Sequence, residues 1–265
     1  MVWKLYGWLR RARSAQRSGN HLDVRKPDHK PVPFRPKLVT FEEHCAAGSL
    51  LVLGFGLGPV FKRAGNGNYF QFVAPGVISM SVLFSSIFSG LGLLWDRQFG
   101  FLKETLVAPV PRIQIMIGRT LGGCTVAVIQ GLLVTLISVI AGFRPSNYSA
   151  IPVALGFMLL IALTFAAVGV AIGSGLQDMQ GFQLIMNFLV LPIYFLSGAM
   201  FPLADQKLPL RIATGIDPLS YGVDGLRSAL LGISFYGRFT DFVVLAVLAT
   251  LLMFFGAWRF SKIEI

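Results

Sequence analysis

Long apolar runs alternate with short charged clusters along the chain, and this alternation predicts membrane-spanning helices. In lipid, a run of about 20 apolar residues crosses the hydrocarbon core as a helix, which hydrogen-bonds its own backbone. The runs are too continuous for barrel strands, whose residues alternate between lipid and lumen. We therefore predict an all-α polytopic membrane protein with six spans: Ala46–Phe61, Phe70–Leu94, Ile117–Gly142, Pro152–Leu176, Phe182–Met200 and Phe242–Phe260.

Composition supports the same class. The chain has 265 residues, of which 54% are hydrophobic and 13% charged, whereas soluble domains carry about 25% charged residues. The net charge is +11, and most of the excess lies before Glu42. We predict residues 1–45 to be a basic cytosolic arm that faces lipid rather than nucleic acid, with an interfacial helix at Met1–Gln16 and a Pro-rich linker at Arg25–Lys37. Residues 46–265 are predicted to form the transmembrane domain.

The distribution of Lys and Arg in short loops predicts the orientation. An N-terminus inside places the basic arm, the Trp95–Arg119 loop and the last basic residues of the chain in the cytosol. The external segments are then less basic, and opposite charges cancel in the longest of them, Ala204–Asp241. We expect both termini in the cytosol. The first span is the least typical, because it is shorter than the usual ~17–25 residues.

The Trp95–Arg119 loop carries charges of both signs between two apolar runs. Asp96 suits a helix N-terminus, the apolar residues after Phe99 give such a helix an apolar side, and Pro109 ends it. A helix of this kind would lie along the membrane and dock into a cytosolic partner. The alternative is a passive connector, charged only to stay out of lipid. The residues alone leave both open.

A second unusual segment is Leu196–Gly232, which prolines divide into short helical pieces. Asp217 is predicted to be an N-cap with Pro218 at the first helical position, and Asp224 could pair with Arg227 three residues later. The segment is predicted to be a re-entrant hairpin that packs on protein. An ordinary surface loop is the alternative, which its apolar content disfavours.

Signs of catalytic chemistry are missing from the sequence. It contains no Gly-x-x-x-x-Gly-Lys phosphate loop, and its three histidines lack metal-ligand spacing. We therefore expect no catalytic residue, no metal site and no cofactor bound by this chain. Gln130 and Asn187 are polar residues inside spans, and no acid or base lies at mid-membrane in spans two to six, which disfavours ion-driven transport.

Two stretches carry a family resemblance. FSGLGLLWDRQFGFLKETLVAPVPR, and LSGAMFPL followed by IDPLSYGVDGLRSALLG, resemble permease subunits of type-2 ATP-binding-cassette (ABC) exporters, within them the daunorubicin-resistance and nodulation-type branch. The resemblance covers the chain from about Leu51 onward. It implies a six-span subunit in the cytoplasmic membrane of a prokaryote. It also implies a second copy or related permease as partner, and a separate ATPase that binds ATP and Mg.

The resemblance also implies roles for particular residues. Asp96–Pro109 would be a coupling helix seated in a groove of the ATPase, with Asp96, Arg97, Phe99, Gly100, Phe101, Leu102, Lys103, Glu104 and Pro109 as its residues. Ser197–Gly232 would form the re-entrant extracellular hairpin, with Ser197, Gly198, Phe201, Pro202, Asp217, Pro218, Tyr221, Asp224 and Arg227. Spans one, two and five would line the substrate path at the dimer interface, where Gln130 or Asn187 would orient polar groups.

The expected function is export of an amphiphilic or drug-like compound by the membrane subunit of an ATP-driven transporter. Export of a lipid-linked oligosaccharide is the first alternative, because the same machine would serve a different cargo. A membrane assembly subunit without transport is a further alternative. The chain departs from the family at its N-terminus, where the Pro-rich arm precedes a short first span.

Overall fold

The computed structural model describes residues 69–99, 111–146, 148–176, 178–201 and 208–261. This part of the chain contains helices and no strand, so the all-α prediction is confirmed for it. The elements are α1 (Tyr69–Phe88), α2 (Leu91–Gln98), α3 (Arg112–Ile140), a 3-10 turn (Tyr148–Ala150), α4 (Ile151–Gly175), α5 (Met179–Leu196), α6 (Leu208–Ile216), α7 (Pro218–Leu231) and α8 (Arg238–Ser261).

Five candidate membrane spans lie in the described part of the chain. They are α1 together with α2, then α3, α4, α5 and α8, each long and apolar enough to cross a bilayer. Predicted spans two to six are confirmed as helices. The predicted first span, Ala46–Phe61, and the basic arm lie outside the described residues.

The helix ends differ from the predicted span ends by a few residues. The largest difference is in α3, which begins at Arg112 rather than Ile117, and α8 begins at Arg238 rather than Phe242. The apolar runs mark where side chains suit lipid, whereas a helix continues for as long as its backbone bonds continue. Charged residues at both ends of the spans are therefore helical.

Helix α4 is the centre around which the others pack. It contacts α1, α2, α3, α7 and α8, and its buried residues include consecutive ones, Phe165, Ala166 and Ala167, which lie on different faces. A helix that is hydrophobic all round belongs in the interior of a bundle. By contrast, Phe188 of α5 and Phe254 of α8 are largely exposed, as expected where helices face lipid.

The break between α1 and α2 lies directly on the backbone of α4. A Cβ atom on Gly90 would overlap the carbonyl of Gly169, and a Cβ atom on Gly173 would lie 2.7 Å from the carbonyl oxygen of Gly90. Small residues four apart allow this close approach of helices in lipid. Gly118 and Gly122 have the same spacing, but a Cβ atom on either would have no neighbour within 4 Å. The spacing alone therefore did not identify the contact.

We expect Gly169→Ala to lower the melting temperature of the detergent-purified protein. Its Cβ would overlap the backbone of Ile87, and overpacking against backbone costs about 1–3 kcal/mol. Gly118→Ala is the matched control, because its Cβ would meet open space and alanine favours helix. The two variants are compared by thermal unfolding. Equal melting temperatures for both variants and the wild type would contradict the packing.

Candidate functional site

Asp96 and Arg97, two of the residues predicted to contact a partner, occupy the last turn of α2. This position corrects the expectation that Asp96 begins a helix. The helix ends at Gln98, and the N–H of the next residue, Phe99, donates to the carbonyl of Trp95 at 2.9 Å. A carboxylate near the C-terminus of a helix opposes the helix dipole, so Asp96 needs a cation to offset that cost.

That cation is Arg119 in α3. Its Nη2 donates to Oδ2 of Asp96, and the two side chains are 25% and 31% exposed. The ion pair joins α2 to α3 across the loop that connects them. A fully exposed ion pair contributes little to the free energy of unfolding. The partial burial of this pair strengthens the attraction between its charges. The sequence placed both residues in one charged interval but carried no signal that they pair.

Arg97 joins the same end of α2 to α4. Its Nη1 donates to the carbonyl oxygen of Leu176 at 3.0 Å. Leu176 follows α4 in an extended conformation, and a basic side chain commonly satisfies the last carbonyls of a helix. Just beyond it, Asp178 caps α5 by accepting from the N–H of Gly181 at 2.7 Å.

We call Asp96, Arg97, Arg119 and the carbonyl of Leu176 the charged junction. It fixes the end of α2 to two other spans through two adjacent residues. Phe99 follows it, 65% exposed, with its ring 6.0 Å from that of Trp95. The other predicted coupling residues lie outside the described part of the chain: Gly100, Phe101, Leu102, Lys103, Glu104 and Pro109. The docking role of all nine residues stays a prediction.

At the opposite end of the spans, the chain turns sharply after α5. Ser197 Oγ donates to the carbonyl of Tyr194 at 2.7 Å and accepts from the N–H of Ala199 at 3.3 Å. Gly198 has a positive φ of 70°, which glycine adopts without strain. Phe201 is exposed, and Pro202 lies outside the described residues.

Asp217 caps α7, as predicted. Its carboxylate accepts from the N–H of Leu219 at 3.0 Å and from Ser220 Oγ at 3.3 Å, and Pro218 is the first residue of the helix. Burial raises the pKa of Asp217 to about 7, although both hydrogen bonds act to lower it. Tyr221 donates to the carbonyl of Gly215 at 2.7 Å, which links α7 to α6.

The predicted pairing of Asp224 with Arg227 is wrong, because each side chain has partners from other elements. The Asp224 carboxylate accepts from the N–H groups of Phe235 at 2.8 Å and Tyr236 at 2.9 Å, and from Ser234 Oγ at 3.2 Å. It therefore holds the loop before α8. Side chains three residues apart on a helix can meet, but here the Asp224 carboxylate is bound by residues farther along the chain.

Arg227 instead connects three parts of the bundle. Its Nη2 donates to the carbonyl of Gly198 at 3.1 Å, and its guanidinium lies 4.0 Å from the ring centroid of Phe72 in α1. Burial lowers the pKa of Arg227 to about 10, and nearby Asp224 partly offsets this. A stacked guanidinium with a carbonyl acceptor is a geometry that lysine does not reproduce.

Helices α6 and α7 differ in burial. Most residues of α7 are buried, including Val223 and Leu226, and it packs on α1, α4 and α8. In α6, Leu208, Ile212 and Ile216 are exposed. The buried α7 favours the predicted hairpin over an ordinary surface loop, while its re-entrant position in a membrane stays a prediction.

The two candidate path residues are not brought together. Gln130 is buried in α3, and its Nε2 has no hydrogen-bond partner among the described residues. Asn187 lies exposed on α5. A third polar residue was missed: Asp241, counted as a loop charge, lies fully buried in the first turn of α8. The early start of α8 explains the miss.

Comparison with known proteins supports one family. A model of the ABC-2 type transporter family matches residues 46–231. The inner membrane transport permease YadH of Escherichia coli K12 is 31% identical over 182 residues, which cover 68% of this chain and 70% of YadH. Nodulation protein J of Rhizobium leguminosarum bv. trifolii is 26% identical over 69% of this chain and 70% of its own length.

A further relative is also named as a transport permease. The putative transport permease ycf38 of Cyanophora paradoxa is 28% identical over 161 residues. The match covers 60% of this chain but only 56% of that relative. The chain thus spans little more than half the length of this permease.

The buried Asp217 carboxyl predicts a pH-dependent stability. Its folded pKa of about 7 exceeds its ordinary value of 3.8. The protonated carboxyl therefore contributes its full share to the free energy of unfolding below about pH 4, and this share is lost as the pH rises toward 7. We expect Asp217→Asn to keep the cap and to flatten this part of the pH profile of thermal unfolding. Asp217→Ala should flatten it too but cost about 1 kcal/mol. An Asn variant with the wild-type slope would contradict the assignment.

Proposed function

The chain belongs to the ABC-2 type transporter family, and from this membership we propose that it is the membrane subunit of an ATP-driven exporter. Its five candidate spans make it a multi-pass membrane protein. The work of ATP hydrolysis falls to a separate ATPase, because the sequence has no phosphate loop of its own. ATP and Mg act through that partner.

The ATPase would dock on the segment Asp96–Pro109. The support for this is the charged junction, in which Asp96 and Arg97, at the start of the segment, contact Arg119, which follows the segment, and the carbonyl of Leu176. A push on the segment would reach α2 and α3 together, and α4 through Leu176. The charged junction is the single observation on which the proposed coupling rests.

The proposed assembly has two permeases, each with six spans and both termini in the cytosol of a prokaryote. Ala46–Phe61 would be the first span, in addition to the five candidate spans, and the second permease would be a further copy or a related chain. The distribution of Lys and Arg supports the orientation. The buried α7 supports a re-entrant hairpin on the outer face.

The proposed cargo is amphiphilic. Helix α5 exposes Leu184 and Phe188 beside the amide of Asn187, and a surface with this mixture suits a compound that has both apolar and polar parts. An apolar surface does not select one cargo, and fold alone does not transfer it. A lipid-linked oligosaccharide is therefore included as the competing cargo in the test below.

We expect Phe101→Ala and Glu104→Ala to reduce ethidium uptake by inside-out vesicles at least tenfold, with unchanged amounts of permease in the membrane. The reason is that these residues would form the contact with the ATPase. Gln114→Ala, at an exposed position of α3 outside the segment Asp96–Pro109, is the matched control. The vesicles contain the permease and the ATPase encoded by the neighbouring gene, which is co-expressed with it. Uptake of ethidium is followed by its fluorescence.

Three results would change the proposal. Wild-type uptake by both variants would contradict the coupling assignment. Failure of the tagged wild-type permease to co-purify with any ATPase would contradict ATP-driven transport. Uptake of a labelled lipid-linked oligosaccharide but not of ethidium would replace the proposed cargo with the competing one.

A further inference from the structure

Asp241 is a buried carboxyl that no hydrogen-bond donor contacts. It lies in the first turn of α8 and is fully buried, and neither Oδ1 nor Oδ2 has a partner among the described residues. Its own N–H donates to the carbonyl of Gly237 at 3.0 Å. The N-terminus of a helix attracts negative charge, but a buried carboxylate that accepts no hydrogen bond is strongly disfavoured. The charge of Asp241 is therefore offset by something that binds there.

The group that faces Asp241 is a second carboxyl, Asp224 of α7. Asp224 is 2% exposed, and the two side chains are close enough for a hydrogen bond between them. Ionised carboxylates have only acceptor oxygens, so this bond forms only when one of the two carries a proton. Asp224 already accepts from the N–H groups of Phe235 and Tyr236, whereas Asp241 accepts from none. The proton therefore belongs on Asp241, which donates it to Asp224.

The two nearest arginines have other partners. Arg227 of α7 lies near Asp224, but its Nη2 donates to the carbonyl of Gly198. Arg238, in the same turn as Asp241, donates to Oγ of Ser228 at 3.2 Å and to the carbonyl of Ser228 at 2.7 Å. Among the described residues, no arginine or lysine forms an ion pair with Asp241. Neutralisation of Asp241 is therefore left to a bound proton or ion.

The other ionisable groups near the pair are two tyrosines. Tyr221 of α7 lies within electrostatic reach of Asp241 and of Asp217, and its ring centroid is 4.9 Å from that of Tyr236. The hydroxyl of Tyr221 donates to the carbonyl of Gly215. The hydroxyl of Tyr236 is buried and has no partner in the described part of the chain. Neither tyrosine hydroxyl donates to Asp241.

The helices that pack along α8 bring no further charge to this place. The sequence of α4 has no ionisable side chain. The ionisable residues of α3 are Arg112, Arg119 and Cys124, all in its first half, and Met116 in that half lies against Gly256 near the far end of α8. A metal ion is disfavoured because no group of three His, Cys, Asp or Glu residues that could hold one occurs in the described ranges.

We propose that Asp224 and Asp241 bind one proton between them, and that this proton attaches the start of α8 to α7. With the proton in place, Asp224 holds both the loop of residues 232–237 and the first turn of α8. When the proton leaves for solvent, two buried carboxylates face each other and repel. The start of α8 then separates from α7, while the backbone N–H groups of the loop still bind Asp224. This pH-sensitive contact goes beyond the proposed function and needs no ATPase.

Infrared spectroscopy of the full chain, purified in detergent, tests the proton directly. All variants carry Asp217→Asn as a common background, because the Asp217 carboxyl has a pKa of about 7. At neutral pH the background protein should show the C=O band of a buried protonated carboxyl. Asp241→Asn should abolish this band. Asp178→Asn makes the same change at an exposed helix cap and should leave the band unchanged.

Unfolding by denaturant in detergent measures the linkage to pH. The carboxyl of an unfolded Asp ionises near pH 3.9, so the folded background protein holds one more proton than the unfolded chain. Its unfolding equilibrium constant should therefore rise by up to about tenfold per pH unit from about pH 5 upward, until the folded protein also loses the proton. Asp241→Asn should lower this slope, because its amide donates to Asp224 at every pH. Asp178→Asn should keep the background slope.

Hydrogen exchange locates the change. At about pH 9 the backbone amides of residues 238–245 should exchange at least about fivefold faster in the background protein than in Asp241→Asn, because local opening there exposes them. The comparison is made at one pH, so the intrinsic exchange rates cancel. If Asp241→Asn does not yield monodisperse protein, Asp224→Asn is measured in its place. It removes the other carboxyl of the pair and should likewise abolish the band and lower the slope.

Three results would overturn the shared proton. The first is a background protein without the carboxyl band, or a band that persists in the Asn variant of the pair. The second is an equal pH slope for that variant and the background. The third is stabilisation of the background by sodium or magnesium chloride at about pH 9 that the Asn variant lacks, since a metal ion would then occupy the place of the proton.

Discussion

Close packing around α4 is the constraint on which the rest of the structure depends. In lipid, apolar side chains gain little by leaving their surroundings, so helices associate through tight contact and hydrogen bonds between them. Gly169 and Gly173 provide that contact by removing side chains where the chain between α1 and α2 crosses α4. Five other helices then pack on α4, and the positions of the charged groups at both ends of the bundle follow from this arrangement.

The charged groups are divided between the two ends of the bundle, and they are used differently there. At one end, Asp96, Arg97 and Arg119 are partly exposed and connect helix ends through side chains. At the other, Asp224 and Arg227 are buried, and their main partners are backbone groups of distant segments. The first arrangement can open at low cost, whereas the second cannot without leaving buried charge unpaired. A rigid end and a more adaptable end suit the proposed subunit, which a partner would move from one side.

The sequence predicted the features that depend on local chemistry. The apolar runs predicted five helices of the described residues, and the Asp217–Pro218 pair predicted a cap that the structure confirms. It did not predict features that depend on distant neighbours. The pairing of Asp224 with Arg227 failed because Phe235, Tyr236 and Gly198 compete for them across the fold. The pairing of Asp96 with Arg119 was missed because Asp96 was expected at the start of a helix and lies at its end.

The bonds of Asp224 have a consequence for how this protein can vary. Phe235 and Tyr236 are bound through their backbone N–H groups, which every amino acid except proline possesses. The acceptor position thus needs a short side chain with an acceptor oxygen, while the donor positions accept almost any side chain that fits. A loop bound in this way can vary in sequence among relatives and still bring the chain to the same starting position of α8. The single acidic residue acts as a fixed anchor for a variable segment.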